Sequence, residues 1–207
     1  MVDALCTRAQ VKLRVRIPVG DTVDDALIDE LINDVSDWIQ GFVHRRLVPD
    51  DAATYIVDTS AGSEIEIPRG IRTVTSLSIA NSDQPDTGGV YAAIAAADIL
   101  LRPSPMDLRP GWPPNRILIR GTTVRFTAPR INGAIIVGNF DFAATPPAIA
   151  TVAADAVVAA YTARGKPASA TVGAGARAVF PWATFFDVDS PAYRTLVRYR
   201  IPGKGMA

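Results

Sequence analysis

The chain has 207 residues, 48% of them hydrophobic and 20% charged, which excludes a disordered polypeptide and permits one large domain or two small ones. Lys and Arg total 21, as do Asp and Glu, so the formal net charge is zero, which disfavours a protein that coats nucleic acid by neutralising phosphates. A single cysteine (Cys6) and a single histidine (His44) exclude an intrachain disulfide and disfavour Cys/His metal sites.

Thr7-Arg8-Ala9-Gln10 fits a capping box, in which the Thr hydroxyl accepts from the backbone three residues on and Gln10 reaches back. A short helix is predicted from there to about Arg16, stopped by Pro18 and Gly20. Apolar residues at Val23, Leu27, Ile28, Leu31, Ile32, Val35, Trp38, Ile39 and Phe42 recur in steps of three and four and predict a long second helix to about His44. Asp21, Asp24, Asp25, Asp29 and Glu30 crowd its first half, and His44, Arg45 and Arg46 close it. Both signs complement the helix dipole.

The period then changes. Residues Thr54–Asp58, Ser63–Pro68 and Thr73–Ile79 alternate or are β-branched and read as strands. Within the second, Ile65 and Ile67 are expected to point inward and Glu64 and Glu66 outward. Further strands are predicted at Asp98–Leu101, Arg116–Arg120, Thr123–Thr127 and Ala134–Phe142. The segments Asn81–Gly89 and Arg102–Asn115 read as loops, the second rich in proline. Pro146-Pro147 opens a third helix, Ala148 to about Arg164, whose face of Ile, Val and Ala permits close packing. Lys166–Ala178 is rich in Gly and Ala and is expected to be mobile. Ser190-Pro191 caps a last helix to about Arg200, and a tail follows to Ala207.

The expected fold class is therefore α+β: a helical core of two N-terminal and two C-terminal helices with a central antiparallel β insertion. Its parts are the N-terminal helices (1–50), the β insertion (54–142), the third helix (146–165), a mobile loop (166–189) and a C-terminal helix and tail (190–207). One composite domain over 1–207 is expected, because the apolar stripes before and after the β block need each other for burial. No signal peptide is read at the N-terminus. The most apolar run, Ile149–Tyr161, is too short to span a bilayer.

No catalytic, cofactor-binding or metal site is legible. Gly165-Lys166 lacks the earlier glycine of a P-loop, and Gly173-Ala-Gly175 is only a fragment of a dinucleotide pattern. Among the acids Asp21, Asp24, Asp25, Asp29, Glu30, Asp34 and Asp37, Asp25 and Asp29 share a helix face at i,i+4, as do Glu30 and Asp34, and no histidine joins them. They read as a solvated helix face, or as a surface for a basic partner. His44, Arg45 and Arg46 are explained as cations at a helix C-terminus. Trp112, set among prolines, is either folded back on the β block or held out as an interface anchor. The stretch from Ser190 onward carries Arg194, Arg198, Arg200 and Lys204 and no acid. With Leu196, Val197 and Tyr199 it reads as a solvated basic helix or as a docking segment.

The pieces in their order resemble the head-tail connector (adaptor) family of tailed phages, the small neck proteins of siphophages. Leu5-Cys-Thr-Arg-Ala-Gln-Val-Lys-Leu-Arg-Val15 is similar to the family's opening helix, and Asp24 to Phe42 to its long second helix. Ile67-Pro-Arg-Gly-Ile-Arg-Thr-Val-Thr-Ser-Leu-Ser-Ile79 is similar to its first sheet segment. Ile135–Phe142 followed by Pro146–Tyr161 resembles its strand-to-helix return, and Ser190–Arg200 its closing helix. The β block, about Thr54 to Phe142, is longer than in the smaller members. The resemblance implies a structural virion protein of the neck, not an enzyme, without cofactor or membrane contact. It implies a homo-oligomeric ring, often a dodecamer, seated between the portal protein and a head-closure (stopper) or other tail-side protein, with double-stranded DNA passing through the lumen. Portal docking is then expected of Arg194, Leu196, Val197, Arg198, Tyr199, Arg200 and Lys204. Contacts between subunits or with partners are expected of Asp24, Asp25, Asp29, Arg45, Arg46 and Trp112. The free protein is expected to be a monomer, and removal of Ser190–Ala207 to leave a folded chain that no longer docks. A head-closure or tail-completion protein of the same virion is the alternative.

Overall fold

The computed structural model describes residues 3–60, 62–67, 69–80, 91–103, 112–120, 130–164 and 183–200. The predicted strand at Thr123–Thr127, the loop at Asn81–Gly89, the segment Lys166–Ala178 and Lys204 lie outside them. The fold is α+β, with four α-helices and antiparallel sheets among the described residues. The chain divides into two compact units, one of residues 1–47 and 145–207 and the other of residues 48–144.

The first unit holds the helices. α1 (Arg8–Val15) starts at the predicted capping box: Gln10 N donates to Thr7 Oγ1 at 3.2 Å, and Thr7 N to Gln10 Oε1 at 2.8 Å. It ends at Arg16 in a left-handed conformation. α2 (Asp25–Val43) buries Ile28, Ile32, Val35 and Ile39 along the predicted stripe. Val23, assigned to that stripe, instead precedes the helix and is 88% exposed. The period extends one turn too far because Val23 and Asp24 form a turn, closed by Asp25 N donating to the Thr22 carbonyl, before the first helical residue. α3 (Pro147–Ala163) places Ile149, Ala153, Ala156, Val157 and Ala160 inward, and its alanines let α1 and α2 approach. α4 (Pro191–Tyr199) begins where Ser190 Oγ accepts from Tyr193 N at 3.0 Å; it buries Ala192 and Leu196 against α2 and α3. The segment read as a mobile loop carries, in its described part, a 3-10 turn at Ala183–Phe186, and Phe186 is buried. Its ring stacks on Trp38 with centroids 4.2 Å apart.

Among its described residues the second unit holds seven strands and one 3-10 turn. β1 (Asp50–Thr59), β7 (Arg130–Phe140), β3 (Ile71–Ala80) and β4 (Tyr91–Ile94) form one sheet in that order, and β2 (Glu64–Glu66), β6 (Arg116–Ile119) and β5 (Ile99–Arg102) form another. Every pairing is antiparallel. Their inner faces enclose one core of Ile65, Ile67, Leu77, Ile117, Ile136 and Phe140 with their neighbours, and Glu64 and Glu66 face solvent as the alternation predicted. Both partners of β7 carry bulges near Gly138 (between Asp50 and Ala53, and between Val74 and Ser76). A Cβ at Gly138 would collide with the Thr73 carbonyl. A polar knot closes the end of the unit. Arg69 pairs with buried Asp141 and with Asp50 at 3.0 Å and lies 4.6 Å over the Tyr55 ring, while the Tyr55 hydroxyl donates to Asp50 at 2.6 Å.

Candidate interaction surface

The acidic first half of α2 separates into two faces, as 100° of rotation per residue requires. One face turns toward α1 and α3. Arg8 pairs with Asp25 at 2.6 Å and with Asp29, and Lys12, almost fully buried, also pairs with Asp25. Asp24 receives Arg164 at 2.8 Å and the Tyr161 hydroxyl of α3. Lys12 and then Arg8 hold the Asp25 carboxyl below the usual range. Hydrogen bonds from Arg164 and then Tyr161 take Asp24 down to about 2. Asp24 stands at the N-cap position but makes no capping bond, since its oxygens are engaged by α3. Asp24, Asp25 and Asp29 are therefore partly exposed but not free: these carboxylates join three helices of one chain.

The other face carries Glu30, Asp34 and Asp37, all exposed and with no ion pair among the described residues. It ends at Gly41, around which nothing approaches a Cβ position within 4 Å. At the end of the helix His44 is exposed, while Arg45 is buried and Arg46 pairs with Asp3 at 2.7 Å, tying the N-terminal segment to α2. Trp112 is half-buried and meets Phe142 edge-on with centroids 6.1 Å apart.

α4 has two faces as well. Leu196 has no exposed surface, which removes it from any docking surface in the folded chain. Tyr199 and Arg200 are half-buried, and the Arg200 guanidinium lies 5.4 Å from the Phe42 ring. Arg194, Val197 and Arg198 point away from the unit; Val197 is 41% exposed. Between α2 and Arg200 lies a shallow groove of about 390 Å³ lined by Trp38, Gly41, Phe42, His44 and Arg200. It sets the His44 imidazole beside aromatic rings and the Arg200 guanidinium, with no carboxylate or hydroxyl among the described lining residues. Sequence reasoning missed the Phe42–Arg200 contact, which links residues 158 apart with no local signal; the separation of Glu30, Asp34 and Asp37 from Asp25 and Asp29 was present in the spacing.

Among the described residues no group of three or more His, Cys, Asp or Glu side chains is placed to hold a metal ion, and no helix is long and apolar enough to cross a membrane. No family model matches the chain, and no curated protein matches it. Among solved structures it is similar to a chain described as "Neck of empty GTA particle computed with C6 symmetry", at 19% identity and a TM-score of 0.48, over 95% of this chain and 92% of that one.

Proposed function

We propose that the chain is a structural neck protein of a phage-like particle, a ring-forming adaptor seated between the portal protein and the next tail-side protein, with DNA passing through the ring and no catalysis. The sequence resemblance supports this reading over nearly the whole chain. The observation that carries it is the two-faced α4: Ala192 and Leu196 anchor the helix in its unit while Arg194, Val197 and Arg198 are held outward. A charged, apolar-centred helix face on a rigid body suits an assembly contact.

The burial of Leu196 changes the expected truncation. Removing Ser190–Ala207 takes away core side chains, so loss of docking would report unfolding. The clean variant ends at Arg200. Its helical melt is expected to match the full chain while its binding to portal assemblies, read by co-sedimentation, is lost. Undiminished binding would contradict a portal contact by the C-terminal tail.

A head-closure or tail-completion role is the second reading. It is favoured by one feature, the self-contained pair of antiparallel sheets over residues 48–144. Attachment of the protein only to particles that already carry an adaptor ring would select it.

A further inference from the structure

We infer that the outward face of α4 seats on the outward face of α2 of a second copy of this chain. The proposal rests on the ring reading above and assigns the contact that builds the ring. The two faces are opposite in sign: Glu30, Asp34 and Asp37 on α2, Arg194 and Arg198 on α4. Neither set is neutralised by an ion pair among the described residues, whereas the other acids of the first half of α2 are engaged inside the chain. The spacing also matches. Glu30 and Asp34 are four residues apart on one helix, and Arg194 and Arg198 four apart on the other, so each pair spans roughly 6 Å along its axis and two charge pairs form together. The uncovered backbone at Gly41 keeps the α2 face open to close approach, and Val197, beside Arg198, is the apolar group such a contact would dehydrate.

The two faces belong to different helices of the same unit, so a copy that offers one face to one neighbour keeps the other for a second. A contact between unlike faces is heterologous and propagates until it closes on itself. Two helix faces of three residues each are far smaller than the roughly 1,600 Å² of a standard interface, and exposed charge pairs are individually weak. The contact therefore acts once copies are gathered on a template, which raises their effective concentration, and leaves the free chain a monomer. The portal contact expected of residues 190–207 then falls to the part after Arg200.

The test uses the full chain and its cognate portal, with ring density read by electron microscopy. E30R/D34R and R194E/R198E are each expected to cut ring occupancy at least tenfold, and the chain carrying all four substitutions to restore it. All four positions are exposed, so the helical melt of each variant is expected to match the parent. In parallel, a D34C/R198C chain is expected to give a disulfide ladder on the portal, while D34C/D98C is not; buried Cys6 does not compete. Parental rings from either two-site variant, or a four-site chain that fails to recover them, would overturn the inference while leaving the neck reading intact. Absence of rings from the unmodified chain would overturn both.

Discussion

Replacing Leu196 by Ala tests whether α4 belongs to the folded unit. The side chain is wholly buried on the face of α4 that meets α2 and α3. Three carbons are lost, worth about 2.4 kcal/mol at about 0.8 kcal/mol each, and the cavity they leave raises the cost to about 3 kcal/mol. Arg194→Ala and Arg198→Ala, on the opposite face of the same helix, are expected to stay within about 0.5 kcal/mol of the parent. Circular dichroism at 222 nm follows this unit, because the four described α-helices lie in it. With a urea slope of about 2 kcal/mol/M, Leu196→Ala should lower the midpoint by about 1.5 M. An unchanged midpoint, or an equal loss for Arg194→Ala, would refute the two-faced description of α4 and reopen Leu196 as a docking residue.

Three further outcomes are expected. Gly138→Ala forces a methyl against the Thr73 carbonyl where β7 meets the bulged β3, and should cost roughly 1–3 kcal/mol in a thermal melt of the β unit; a neutral effect would contradict the bulge geometry. Asp24 is held at about 2 in the folded chain by Arg164 and then Tyr161, against about 3.9 when unfolded. Its contribution to stability is present above about pH 4 and is lost as the pH falls toward 2, so Asp24→Asn should flatten that part of the Tm–pH curve; an unaltered acid limb would show that the pairing does not form. Burial pushes the Cys6 thiol up to about 11, so it should resist a thiol reagent at neutral pH in the native chain and react fully in urea.

What was legible in the sequence was local or periodic. Thr7 and Gln10 are three residues apart and announce their own capping box; the stripe from Ile28 to Ile39 repeats four times; Ile65 and Ile67 alternate with Glu64 and Glu66. β4 was missed because Tyr-Ala-Ala-Ile has little β pattern of its own and is a strand only through pairing with Leu77–Ala80. The engagement of Asp24 with Arg164 spans 140 residues, and no spacing rule reaches that far. The spacing of the α2 acids puts Asp25 and Asp29 on one face and Glu30 and Asp34 on another, but does not say which face is engaged inside the chain. The division separates the carboxylates that hold the helices together from those left exposed. Leu196 was misread because its flanking arginines dominate a linear view of α4, where rotation about the helix puts it on the opposite side.

Electron microscopy of the full chain mixed with its cognate portal tests directly whether a ring forms there. An added ring at the tail-side end is expected, with α4 of each copy lying against α2 of the next. A folded chain and an intact portal with no added density would contradict it.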